Sequence, residues 1–180
     1  MMIFIFKPKA LHPKKVSYKY QLHHSYVPLR VPVGVMLTPK IPIPDRFQCK
    51  VALKLGSENK QHQGGGQAAW VKDNRIFAMM KNCSTYQIVI DTIPPKVISD
   101  IKNNDNVKVR KKIIFDVSEE TTHIASLNAF IGKQRLRLVQ KHNTYTYEMD
   151  EHFPKGKQIL TLFVSDENHN VRKQQYTLIN

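Results

Sequence analysis

Two cysteines in 180 residues, Cys49 and Cys83, exclude a disulfide-dense scaffold. The sequence leaves their pairing open. Cys49 stands in the apolar phase of its neighbours, which predicts a buried free thiol. Cys83 lies between KN and STY, with no helix N-terminus to lower its pKa, so it is not read as a nucleophile. Long apolar runs are also missing. None approaches the roughly 20 residues of a membrane-spanning helix, and the opening MMIFIFKPK has neither a basic start nor a small-residue cleavage site. That segment is expected to be a first β-strand. Absent an export signal there, the chain is expected to be a cytoplasmic product or a fragment whose signal lies upstream. No long amphipathic helical pattern occurs anywhere.

Acidic residues are scarce, with 14 Asp and Glu against 28 Lys and Arg, a net charge of +14. Residues 1–92 hold 14 basic and 4 acidic side chains, a balance of +10, and residues 93–180 hold 14 and 10, a balance of +4. Such a field favours polyanions: nucleic acid, anionic lipid or anionic wall polymer. The basic residues mostly alternate with apolar ones, the pattern of solvated strand faces. No RNA-binding aromatic signature and no recognition helix accompany the charge, so no specific nucleic acid is expected.

Catalytic and metal-binding patterns are missing as well. The chain has no HExxH, His-x-His or CxxC spacing and no GxSxG. Glu120 and His123 fall between strands. His23 and His24 are adjacent, which points them to opposite faces of a strand. Glu148, Asp150, Glu151 and His152 read as a solvated edge. DENHN at 166–170 lacks the glycine and distal glutamate of a calcium loop and reads as a hairpin turn. QGGGQ at 63–67 lacks the GK[ST] of a phosphate loop and reads as a turn. Trp70, beside Lys72 and Arg75, is expected in the core; exposed, it would instead offer a ring on which a sugar or a base could stack. No catalytic, cofactor or metal residue is assigned.

What the chain does have is alternation of period two, interrupted by turn residues. Val16, Tyr18, Tyr20 and Leu22 alternate with polar neighbours. The same period-two spacing recurs at Val31, Val33, Val35 and Leu37; at Phe47, Cys49, Val51, Leu53 and Leu55, between Gln48, Lys50, Ala52 and Lys54; and at Tyr86, Ile88 and Ile90. In the second half Val107 and Val109 lead to Ile113, Phe115 and Val117; Leu136 and Leu138 face in, with Arg135 and Arg137 outward; Tyr145, Tyr147 and Met149 form a stripe; and Tyr176 and Leu178 close the chain. Leu160, Leu162 and Val164 point one way and Ile159 and Phe163 the other, which predicts a central strand covered on both sides. Turn chemistry recurs at 103–106, 140–143, 153–156 and 166–170. The whole predicts an all-β chain of two tandem antiparallel β-sandwich modules, 1–92 and 93–180. The joint is DTIPP at 91–95. Pro94 and Pro95 fix their own φ and bias the preceding residues toward extended geometry, a semi-rigid hinge between the modules.

Several ordered segments resemble a known family: DTIPP (91–95), VRKKIIFDVSEE (109–120), AFIGK (129–133), YTYEM (145–149) and FPKGKQILTLFVSDENHN (153–170), preceded by FKPKAL (6–11), YQLHHSYVPLRVPVGVML (20–37) and GGGQAAWV (64–71). The series resembles the C-terminal, non-catalytic region of lysostaphin-type zinc metallopeptidases of Bacteroidetes, a β-rich module followed by an immunoglobulin-like one. The resemblance implies an accessory role in the cell envelope or outside the cell. The chain would position or support a peptidoglycan-cleaving domain that it does not contain, with that domain or an anionic wall polymer as partner. The family's zinc ligands, His-x-x-x-Asp and His-x-His, have no counterpart here. The usual turns also differ: IGK at 131–133, THI at 122–124, and His169 where glycine is expected. The rival expectation is a surface-adhesion or carbohydrate-binding immunoglobulin-like protein.

Overall fold

The computed structural model describes residues 19–22, 29–55 and 66–180, with only the backbone of Leu55. Expectations for the opening segment, for Val16 and Tyr18, for His23 and His24, and for most of QGGGQ lie outside the described residues. Within them the chain is all-β, with no α-helix and one 3₁₀ turn, Asp45–Phe47. Two compact units are present. The first comprises the described residues up to Ile93 with 120–123 and 167–169; the second comprises 94–119, 124–166 and 170–180.

The first unit is built on one antiparallel sheet of six strands: β1 (Lys19–Leu22), β2 (Val33–Leu37), β3 (Val51–Leu55), β4 (Gln67–Lys72), β5 (Arg75–Met80) and β6 (Ser84–Ile90), in the order β1-β6-β3-β4-β5-β2. The sheet folds over at β4. Its first half pairs with β3, Val51 opposite Ala69, and its second half pairs with β5, Trp70 opposite Phe77. A strand that changes partners midway turns the corner of a sandwich. The two edge strands consequently meet across one core: Tyr20 and Leu22 of β1 cluster with Val35 and Leu37 of β2, Val51, Leu53, Ile76, Met80 and Ile88. The Tyr20 hydroxyl donates to the Thr38 carbonyl at 3.1 Å, joining the edges directly.

The expected strand from Phe47 begins later. Pro44 and Asp45 open a 3₁₀ turn in which the Phe47 amide donates to the Pro44 carbonyl at 2.8 Å, and the strand starts only at Val51. Alternation therefore does not govern residue 49. Cys49 is exposed, contrary to its expected burial, and Cys83 is the buried thiol; both are free. Val31 likewise precedes its strand and is exposed. At the end of the unit Asp91 is buried. Its Oδ1 accepts the Ile93 amide at 3.2 Å, shaping the turn before the two prolines.

The second unit has nine strands: β7 (Lys96–Ser99), β8 (Asp105–Asn106), β9 (Lys112–Ser118), β10 (Ile124–Ile131), β11 (Gln134–Arg135), β12 (Leu138–Lys141), β13 (Thr144–Glu148), β14 (Lys157–Asp166) and β15 (Val171–Ile179). They form a sheet β12-β13-β9-β7 and a sheet β11-β10-β14-β15-β8. Side chains of both sheets share one core: Ile113, Phe115 and Val117 from β9, Tyr145 and Tyr147 from β13, Ala129 and Ile131 from β10, Leu160, Leu162 and Val164 from β14, and Tyr176 and Leu178 from β15. Burial of this kind contributes about 1.5–3 kcal/mol for each large side chain removed from water. Arg110 fastens the loop beside β8 by bridging Asp100 at 3.0 Å and Asp105 at 2.9 Å.

One expectation for β14 is corrected. Leu160, Leu162 and Val164 are fully buried, but Ile159 and Phe163 face solvent. The sheet has a single covered face. Phe163 is shielded by its neighbours instead, with the Phe130 ring edge-on at 6.2 Å and the Lys173 ammonium 5.6 Å from its centroid.

Candidate functional site

The hairpin β4–β5 turns on Asp73 and Asn74, both left-handed at φ 50° and 54°. Two consecutive positive φ values give the tight turn whose twist matches that of paired strands, and short polar side chains tolerate it best. The turn fixes which residues share a face. Ala69 and Val71 of β4 and Ile76, Ala78 and Met80 of β5 point to the core. The opposite parity, Trp70 and Lys72 with Arg75, Phe77 and Met79, must point outward.

Trp70 is 52% exposed, which overturns its expected place in the core. The reason is parity. With Ala69 and Val71 inward, the indole can only follow Lys72 into solvent. Its ring stacks on Phe77 directly across the ladder, centroids 6.1 Å apart and planes 13° from parallel. The row continues to Met36 of β2, which is opposite Phe77 and half exposed. Gly34 lies opposite exposed Met79, leaving that end of the face open. The result is an apolar sheet face of an aromatic pair and two thioethers.

Two cations close the row at the hairpin end. Lys72 is paired directly with Arg75. Like charges opposite each other weaken a ladder. Among the described residues neither forms an ion pair. Among the described residues the Arg75 guanidinium meets the Met36 sulfur, 3.5 Å from Nη1, which turns the arginine over the apolar row. A ring face with adjacent cations offers stacking and charge contacts suited to a ligand that combines flat C–H surface with negative charge. The signal in the sequence was the shared parity of Trp70, Lys72, Arg75, Phe77 and Met79; it was outweighed by the ordinary burial of a lone tryptophan.

The other residues weighed for chemistry serve turns. Asp166 is buried, its two oxygens accepting the amide and the side-chain NH₂ of Asn170, each at 2.8 Å. Asp150 accepts the His152 amide at 3.0 Å and the Tyr147 hydroxyl at 3.2 Å. His123 lies 3.4 Å from Glu167 in an exposed pair. His169 adopts φ 60°, the left-handed geometry that glycine supplies at lowest cost. No protein-family profile matches the chain, and no curated protein matches it.

Proposed function

We propose that the chain is a non-catalytic binding region of a cell-envelope protein, in which the first unit holds wall polysaccharide on the Trp70 face. It would thereby position a peptidoglycan-cleaving domain carried outside this chain. The observation that carries the reading is the exposed Trp70–Phe77 stack beside the uncompensated Lys72–Arg75 pair. Pyranose rings present a C–H face to an aromatic plane, and peptidoglycan adds lactyl and peptide carboxylates that the two cations would meet. The second unit supports the reading as a module of immunoglobulin type. Its sheets run fourth-fifth-second-first and, between the short extra strands β11 and β8, third-sixth-seventh, if β7, β9, β10, β12, β13, β14 and β15 are taken as the seven principal strands.

The test is retention of the purified chain on insoluble peptidoglycan at low salt and at about 1 M salt, where the screening length falls to about 3 Å. Trp70→Ala is expected to abolish retention at both, while loss of the stack on Phe77 costs about 0.5–1.5 kcal/mol, small beside the stability of a folded unit. Undiminished retention of that variant would remove the aromatic face from the binding site. Retention that ignores salt and transfers to a neutral glucan would favour the second reading, a carbohydrate-binding adhesion module. That reading is favoured by the apolar part of the same face, Met36 and Met79 included.

A further inference from the structure

The second unit has its own opening. Strand β11 accompanies β10 for only two residues, Phe130 opposite Arg135 and Ile131 opposite Gln134. One more bond follows, from the Leu136 amide to the Ala129 carbonyl at 2.8 Å. The chain then crosses to β12 in the other sheet. Beyond that point, among the described residues, the outer edge of β10 has no strand beside it. An open cleft of about 600 Å³ takes the place of the missing strand. One wall is β10 from Ile124 to Asn128, the other is Arg135, Arg137 and Gln140, and Tyr145 lies at the base.

Ladder parity identifies the backbone groups that face it. Alternate residues of an antiparallel strand point their N–H and C=O to the same side. Ala129 bonds toward β11, so Leu127 presents its amide and carbonyl to the same side, into the cleft. Ala125 is bulged: Ile124 is opposite Asp166 and Ser126 opposite Ser165, leaving Ala125 without a register partner. Across the gap Arg135 and Arg137, two residues apart with buried Leu136 between them, are both exposed. Neither is in an ion pair among the described residues. A free strand edge flanked by two forked cations matches an extended chain bearing carboxylates, in backbone and in charge.

We propose that this cleft binds an extended acidic peptide segment, which adds to β10 along the line that β11 abandons and sets its carboxylates against Arg135 and Arg137. The site is distinct from the Trp70 face and does not depend on it. The probe is a synthetic hexapeptide of alternating valine and glutamate, with the valine–glutamine peptide as its neutral counterpart, titrated into the full chain and followed by amide NMR. The expected result is a change concentrated at Ala125 and Leu127, with slowed exchange of the Leu127 amide. The glutamine peptide is expected to bind about tenfold more weakly, and so is the glutamate peptide to Arg135→Glu/Arg137→Glu, since a charge-assisted contact is worth about a factor of ten. Trp70→Ala should bind the glutamate peptide normally. Equal affinity for the two peptides, shifts scattered over both units, or no binding by the parent chain would overturn the assignment. In that case the arginines would only guard the edge against other strands.

Discussion

Lys72→Glu separates a residue kept for the fold from one kept for a ligand. Lys72 and Arg75 are cross-strand neighbours at the end of the β4–β5 hairpin, both exposed. Two unit charges about 6 Å apart repel by roughly 0.7 kcal/mol in water. At about 0.15 M salt the screening length of about 8 Å leaves about half of that. Reversing one charge changes a repulsion of ~0.3 kcal/mol into an attraction of the same size, a gain of about 0.6 kcal/mol, inside the 0.2–1 kcal/mol span of measured cross-strand pairs. For a unit of about 90 residues this raises the melting temperature by roughly 2–5 °C. Lys72→Gln, which removes the charge without reversing it, should give about half. The chain's single tryptophan is Trp70 itself, so its fluorescence reports the unfolding of this unit. The same variant should weaken low-salt retention on peptidoglycan about three- to tenfold, as loss and reversal of a rim charge does. A variant that is more stable and binds less well would mark Lys72 as maintained for an anionic partner. A variant no more stable than the parent, or a more stable one with undiminished retention, would refute that reasoning.

Three further outcomes are expected. In the native chain a disulfide reagent should modify Cys49 rapidly and Cys83 only after unfolding, because the first thiol is exposed and the second buried; two fast thiols would contradict the fold around β6. His169→Gly should raise stability by up to about 1 kcal/mol in urea unfolding, since φ 60° strains a histidine and not a glycine; a loss would mean that the imidazole makes contacts worth more than the strain. Burial, with Cys83 adding to it, pushes the Tyr86 phenol up to about 12, and burial, reinforced by Asp150, does the same for Tyr147. A raised phenol holds its proton in the folded chain after the unfolded chain, with its ordinary value of 10, has released it. Stability is therefore full below about pH 10 and declines from there toward pH 12, which urea midpoints across that range would show; midpoints that stay level would mean that both phenols are ordinary.

Much of the fold was readable in the sequence where a strand has one wet and one dry side. Leu136 and Leu138 inward, Arg135 and Arg137 outward, and the Tyr145–Tyr147 stripe all stand where alternation puts them. Alternation failed for two physical reasons. Around Phe47 and Cys49 a proline and an aspartate supply local hydrogen bonds that compete with the ladder, so the apolar spacing persists where no strand exists. In β14 both parities are apolar, and hydrophobicity alone does not distinguish a second covered face from a wet face with shielded aromatics. The candidate site failed in a third way. The outward phase of β4 and β5 was set by Lys72 and Arg75, but a tryptophan carries so strong an expectation of burial that its own neighbours were discounted. The open edge of β10 had no sequence signal at all, because it depends on where β11 stops pairing.

The corner made by β4 assigns its two sets of side chains to different masters. Ala69 and Val71 answer to the core, and a change there disturbs both halves of the sheet at once. Trp70 and Lys72, with Arg75, Phe77 and Met79 opposite, touch nothing inside. Their backbone is held by a strand stitched to two neighbours, yet their chemistry is free to vary. The face is thus a fixed plate with exchangeable type: its residues can be re-lettered one by one for shifts of about 1 kcal/mol or less each, while the strands beneath keep their register.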